Sequence, residues 1–223
     1  MKNYFDVLAR CPLFLGIHPC NFEAMLKCLG TRVVEVKKGN TIFLEGDPAK
    51  FVGVVLSGSV QVVRDDYFGT RSVLLAAESG ELFAEIFSCS GIEVLPVSVI
   101  ALQDSTVMLM DCRKILTVCS NTCSFHQQLI TNLLQAMAYK NMILSQKIQF
   151  MSKKTTKEKV MAYLLDYAKK HKSAEFCIPY DRQALADYLG VERSAMSAEI
   201  SKLKKNGIIE CSGPCFRIIP KKV

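Results

Sequence analysis

Residues 122–151 run for thirty positions without a glycine or proline. Within them Phe125, Leu129, Leu133, Met137, Leu144, Ile148 and Met151 recur at spacings of three, four or seven, which places one apolar stripe along a helix. A helix of that length spans roughly 45 Å at about 1.5 Å per residue, more than a small domain needs. The stripe predicts a seam for a partner helix, most simply a second copy of the chain. The alternative is a core helix inside one domain.

The chain changes character on either side of this segment. Short helices are expected over 3–8 and 21–26, from apolar spacings of three and four. From residue 31 to about 111 the pattern is β-rich. Runs at 32–36, 41–44, 51–57, 59–64, 71–76, 97–101 and 106–111 are separated by Gly39, Gly46-Asp47-Pro48, Gly58, Asp65-Asp66 and Gly80. Seven or more evenly spaced strands predict a sandwich or barrel. After a hinge at Lys153-Lys154-Thr155-Thr156 come a helix over 157–171, a short strand over 175–178 and an N-capped helix from Asp181 that ends at Gly190. A second helix over 193–205 and a hairpin at 208–211 and 216–219 close the chain. The expected class is α+β, with domains 1–120, 121–152 and 153–223.

Charge separates the two ends. Residues 1–120 hold 11 Lys/Arg against 13 Asp/Glu, and residues 121–223 hold 17 against 8. A near-neutral half joined to a basic half predicts that the second half meets a polyanion. No apolar stretch approaches the roughly 18 residues of a membrane span, and the first residues show no secretory signal. A cytoplasmic chain with no membrane partner is expected. Its ten cysteines form no C-x-x-C pair, so neither a zinc ribbon nor a thioredoxin-like motif is read. No nucleophile–base pair or phosphate-binding loop appears, and the chain does not read as an enzyme.

The two helices joined at Gly190 fit a helix-turn-helix, in which Ala186 permits a close crossing and Leu185, Leu189, Val191, Met196, Ile200 and Leu203 form the shared core. The start of the second helix then offers Glu192, Arg193, Ser194 and Ser197 to a major groove. Arg193 can contact guanine O6 and N7 with both arms, worth about 1–3 kcal/mol of discrimination. Arg182 and Gln183 are placed to hold phosphate, as is Lys202, with Lys204 and Lys205 behind it. The closing hairpin is the wing, with Lys221 and Lys222 nearby. A protein-binding module that has kept this shape without touching DNA is the rival reading.

The order of these parts resembles the superfamily of the cAMP receptor protein and the fumarate-and-nitrate-reduction regulator, the Crp/Fnr family, over essentially the whole chain. The resemblance is carried by Cys11-Pro12-Leu13-Phe14, the stretch from Gly39 to Asp47, Leu56-Ser57-Gly58-Ser59-Val60, the cassette Gly80-Glu81-Leu82-Phe83-Ala84-Glu85, and the stretch from Arg182 to Val191. It implies an N-terminal cyclic-nucleotide-binding-type jelly-roll barrel that senses an effector, a long dimerisation helix, and a C-terminal winged helix-turn-helix. It further implies a bacterial homodimer on a palindromic operator in double-stranded DNA, and contact with RNA polymerase if the chain activates.

Departures from the family pattern bear on the effector. Cyclic-AMP-binding members grip the phosphate with an Arg-Ser pair ten and eleven residues after the Glu matching Glu85, and here those positions are Leu95 and Pro96. Burying a phosphate without that arginine is costly, so cyclic AMP is not expected. A different, more apolar small molecule is, held by Gly80, Leu82, Phe83, Ala84, Glu85, Leu95, Pro96 and Val97 and closed over by Leu144 and Ser145. The cofactor is left unassigned. Iron–sulfur members carry three closely spaced cysteines, whereas eight and seven residues separate Cys11, Cys20 and Cys28. A cluster including Cys89 or Cys112 stays an alternative without support. His18, His126 and His171 match no haem pattern. A thiol sensor is a further alternative, drawing on Cys119 and Cys123 or on Cys211 and Cys215 across the wing turn. On the reading helix Arg193 matches the cAMP receptor type, but Ser194 and Ala198 replace its Glu and second Arg, so other bases are expected in the operator.

Overall fold

The computed structural model of the chain describes residues 4–65, 67, 71–117 and 124–219. Asp66, Cys119, Cys123, Lys221 and Lys222 lie outside them, so the readings made on those residues have no structural counterpart. Two compact units emerge, Met1–Ala138 and Tyr139–Val223.

The first unit opens with α1 (Phe5–Arg10), 3-10 turns at Pro12–Phe14 and Pro19–Asn21, and α2 (Phe22–Cys28). Eight strands follow: β1 (Arg32–Val36), β2 (Thr41–Phe43), β3 (Phe51–Ser57), β4 (Ser59–Asp65), β5 (Arg71–Glu78), β6 (Leu82–Phe83), β7 (Ser98–Ala101) and β8 (Ser105–Asp111). The short helix α3 (Glu85–Ser88) separates β6 from β7, α4 (Cys112–Leu116) follows β8, and α5 runs Ser124–Met151. The strands form two four-stranded sheets in the orders β1-β8-β3-β6 and β2-β7-β4-β5, with antiparallel pairs throughout. Seven strands were legible as alternating or apolar runs. β6 and α3 were not, because two-residue strands and single helical turns have no period to read.

β3 explains how this unit is layered. Its run Phe-Val-Gly-Val-Val-Leu-Ser is buried almost throughout, as expected of a strand covered on both faces. Val52, Val54 and Leu56 join Met108, Met110 and Leu82 against α1, α2 and the first half of α5. Val55 faces the opposite way, into the space between the sheets, with Phe43, Val60, Val62, Phe83, Leu95, Val97, Val99, Val107 and Leu109. Gly53 also lies on that inner side, where the ring of Phe83 occupies the place a Cβ would take.

The second unit holds the end of α5, then α6 (Thr156–His171), β9 (Glu175–Cys177), α7 (Arg182–Leu189), α8 (Arg193–Lys205), β10 (Ile209–Ser212) and β11 (Cys215–Ile218). α6 begins one residue before the sequence placed it, in a capping box: Thr155 Oγ1 accepts from Glu158 N–H, and the Glu158 carboxylate accepts from Thr155 N–H. The expected hinge at 153–156 thus ends in a helix start, marked by its Thr-x-x-Glu spacing. Three strands pair in the order β10-β11-β9. Val160, Leu164, Leu185, Leu189, Met196, Ile200, Leu203, Ile209 and Phe216 make the core. Tyr163 joins them, and burial pushes its phenol above the ordinary range. No helix among the described residues is long and apolar enough to cross a membrane.

Gly53 carries the tightest fit in the barrel. Gly53→Ala should lower stability by about 1–3 kcal/mol, as overpacking does when an aromatic ring cannot move aside. Urea unfolding followed by circular dichroism measures this.

Candidate functional site

The reading head is built on α7 and α8. Asp181 caps α7, its Oδ1 accepting from Ala184 N–H at 2.8 Å, which satisfies one of the donors a helix start leaves open. Gly190 ends α7 in the left-handed region at φ 60°, and Val191 N–H reaches back to Ala186 O at 3.0 Å, a Schellman-type closure. A side chain at Gly190 would also press on Met151 Cε at 2.9 Å. Lys159 Nζ donates to Leu189 O and Gly190 O at 3.4 and 3.3 Å, a cation at the negative end of α7. Nothing in the sequence pointed to Lys159, because its partner carbonyls are thirty positions downstream.

Met196, Ile200 and Leu203 are buried beneath α8. Glu192, Arg193 and Ser194 are exposed at its start, and Ser197 is half-buried one turn on. These four share the face expected to read bases. The residues expected to hold phosphate are more encumbered. The Arg182 guanidinium lies over the Phe216 ring, 4.9 Å from its centre. The Gln183 amide is spent on Asp187 at 2.8 Å. Lys202 is ion-paired with Glu199 at 2.7 Å, and Lys204 donates to Cys211 O at 3.4 Å. Beside α8, a cavity of about 510 Å³ is lined by Thr155, Thr156, Lys157, Ala195, Ala198, Glu199 and Lys202.

In the first unit the structure divides the residues expected to hold an effector. Gly80 lies in the turn between β5 and β6. Phe83, Ala84, Leu95 and Val97 share the core between the sheets, with Pro96 half-buried beside them. Leu82 points the other way, into the helical layer, because neighbours on a strand face opposite sides. Ala84 adopts the left-handed region at φ 62°, a costly position for a residue with a Cβ, and Glu85 behind it is 1% exposed. Leu144 and Ser145 are solvent-exposed on α5.

The apolar stripe on α5 also needs correcting. Leu129 and Leu133 are 0% and 2% exposed, packed on the core of their own unit. The outward apolar side chains are Leu134, Tyr139, Met142, Ile143, Leu144, Ile148 and Met151, from 41% to 65% exposed. Of these, Leu134, Leu144, Ile148 and Met151 line up through exposed Asn141 at steps of seven, three, four and three, 134-141-144-148-151, whereas Met137 packs on the core of its own unit.

Among the described residues no group of three His, Cys, Asp or Glu is placed to hold a metal. Cys89 and Cys112 bring their sulfurs to 2.7 Å. At the wing, Cys211 lies opposite Phe216, and Cys215 is instead bonded to Cys177.

Comparison with known proteins agrees with this arrangement. Residues 33–122 match the cyclic nucleotide-binding domain family and residues 158–220 the Crp-like helix-turn-helix domain family. The transcriptional activator protein FnrA of Stutzerimonas stutzeri is 25% identical over 191 residues, covering 82% of this chain and 75% of that protein. The fold is shared with the c-di-GMP-responsive global regulator CLP of Xanthomonas campestris, at a TM-score of 0.57 and 16% identity over 92% of this chain and 100% of that one. It is shared also with the Thermus thermophilus catabolite activator protein, at 0.50 and 21% over 93% of each. The chain is a transcription regulator of the Crp/Fnr family, with a cyclic-nucleotide-binding-type domain ahead of a Crp-like helix-turn-helix.

Proposed function

We propose that the chain acts in the cytoplasm as a homodimer on a palindromic operator, under the control of a small molecule other than cyclic AMP. The observation that carries the DNA reading is the exposed start of α8, where Glu192, Arg193 and Ser194 stand clear of a head whose core is closed by Met196, Ile200 and Leu203. Arg193 is the residue with reach and geometry for a guanine edge, and Ser194 and Ser197 read less selectively. Arg182, Gln183 and Lys202 serve phosphates after exchanging their present partners for the backbone, an exchange that costs little at the exposed Lys202–Glu199 pair. Dimerisation uses the outward stripe of α5 around Leu134, Leu144 and Ile148.

Charge and packing in the cassette support the choice of effector. Residues 80–98 hold three glutamates and no lysine or arginine. Glu85 is buried at the start of α3, and Phe83, Ala84, Leu95 and Val97 form an apolar wall between the sheets. An anionic phosphate brought against that wall would lose its water with no lysine or arginine from these residues to partner it. A largely apolar or cationic molecule fits that chemistry, entering by displacing side chains such as Phe83.

The DNA reading is tested by selecting bound duplexes from a random-sequence pool with purified protein. A two-fold symmetric site is expected, and no enrichment would overturn the reading. Arg193→Ala should weaken binding to that site by about 1–3 kcal/mol and relax one base position in each half, as measured by fluorescence anisotropy on single-base variants. Leu144→Asp should leave the fold intact, because the side chain is exposed, yet give a monomer by sedimentation that no longer holds the palindrome.

A further inference from the structure

The winged sheet is fastened differently at the two ends of its shortest strand. β9 pairs with β11 through Cys177↔Cys215, Phe176↔Phe216 and Glu175↔Arg217. At one end Arg217 Nη2 meets Glu175 Oε2 at 2.8 Å. At the wing-tip end Cys177 and Cys215 face each other with Cα atoms 3.9 Å apart and are joined as a disulfide, and Ile178 N–H donates to Pro214 O at 3.0 Å. Cys177 is exposed and Cys215 half-buried, so the pair is open to small reagents. The bond spans a sequence separation of 38, and the loop it closes contains α7, α8 and β10, the whole reading head.

Next to the pair lies a cavity of about 330 Å³, walled by Gly213 and Pro214 of the wing turn on one side and by Ile178, Pro179 and Arg182 at the approach to α7 on the other. The guanidinium of Arg182 rests on Phe216, the residue after Cys215. Whatever holds Cys177 to Cys215 therefore also holds the wing tip against the start of α7. Inside cells, exposed disulfides of this kind are characteristically transient and redox-sensing.

We propose that Cys177 and Cys215 form a reversible dithiol–disulfide site that tunes the DNA affinity of the head, exchanging with a low-molecular-weight disulfide of the glutathione class. The exposed Cys177 thiolate attacks one sulfur of the small disulfide RSSR and expels RS⁻, which takes up a proton. The Cys215 thiolate then attacks Cys177 Sγ and expels the second RS⁻, which is protonated in turn. Two electrons and two protons pass to RSSR, giving two RSH and one protein disulfide, and two RSH reverse the reaction. The bonded form is the tighter binder, since the wing turn and the start of α7 are held together before they meet the DNA. The tuning rests on the DNA-binding reading above, whereas the thiol chemistry does not.

The test uses the full chain equilibrated in mixtures of reduced glutathione and glutathione disulfide, then alkylated and digested. Mass spectrometry should find a linked Cys177–Cys215 peptide that grows with glutathione disulfide and disappears with reduced glutathione, resolved from any Cys89–Cys112 peptide. The linked form should melt roughly 10 °C higher and bind the selected duplex about fivefold more tightly. Cys177→Ser and Cys215→Ser should each bind at the reduced level in every mixture. Absence of the linked peptide overturns the site. Equal, measurable binding by fully linked and fully reduced protein overturns the tuning alone. No binding in either state overturns the DNA reading, and the tuning with it.

Discussion

The side-chain amide of Asn132 is the contact on which the arrangement of the first unit depends. It is 3% exposed. Its Nδ2 donates to Leu13 O at 2.9 Å and to Leu15 O at 2.8 Å, while its Oδ1 accepts from Gln128 Nε2 at 2.9 Å. A buried amide left without partners would cost about 1–3 kcal/mol, and here both hydrogens and the oxygen are used. The bonds tie α5 to the turn that follows Cys11-Pro12-Leu13-Phe14, with Leu129 and Leu133 sealing the joint. Rotation of the helix about its axis is thereby set, and with it the face that Leu134 presents to solvent. An anchoring contact within one chain thus decides which side of the helix is left for a partner in the proposed dimer.

The same economy runs through the barrel. β3 and β8 are each buried on two faces, so one sheet serves as the wall of the inter-sheet core and as the floor for α1, α2 and the start of α5. Any molecule that displaces Phe83 from Gly53 acts on β3, and β3 carries Val52, Val54 and Leu56 on its other side. A change in the cassette is thus one strand's thickness from the root of α5. Packed interiors transmit such changes because they compress little, so a shift in the cassette would reach the start of α5 across a single strand.

Much of this was legible in the sequence. Gly190 and Asp181 marked the ends of α7, α8 was bounded to the residue, and the alternation of apolar side chains found most strands. What escaped notice shares a cause: periodicity says that a face is apolar, not which surface covers it. Leu129 and Leu133 keep helical spacing yet face their own unit, and Leu82 keeps company with Phe83 in sequence but not in space. The cysteine pairing was hidden similarly. Cys211 is nearer to Cys215 along the chain, but the order β10-β11-β9 seats Cys177 across from it, and strand order is not a local property. The pairing of Lys202 with Glu199 three residues earlier could have been read from helix geometry alone.

Two heads held by one seam, as proposed, would read two half-sites on the same face of DNA. Inserting five base pairs at the dyad of the selected operator tests it most directly, since about half a helical turn rotates one half-site to the far side of the duplex. Binding of the wild-type protein, measured by anisotropy at fixed salt, should fall to its non-specific level. Undiminished affinity for the expanded site would contradict it, because each head would then be reading DNA alone.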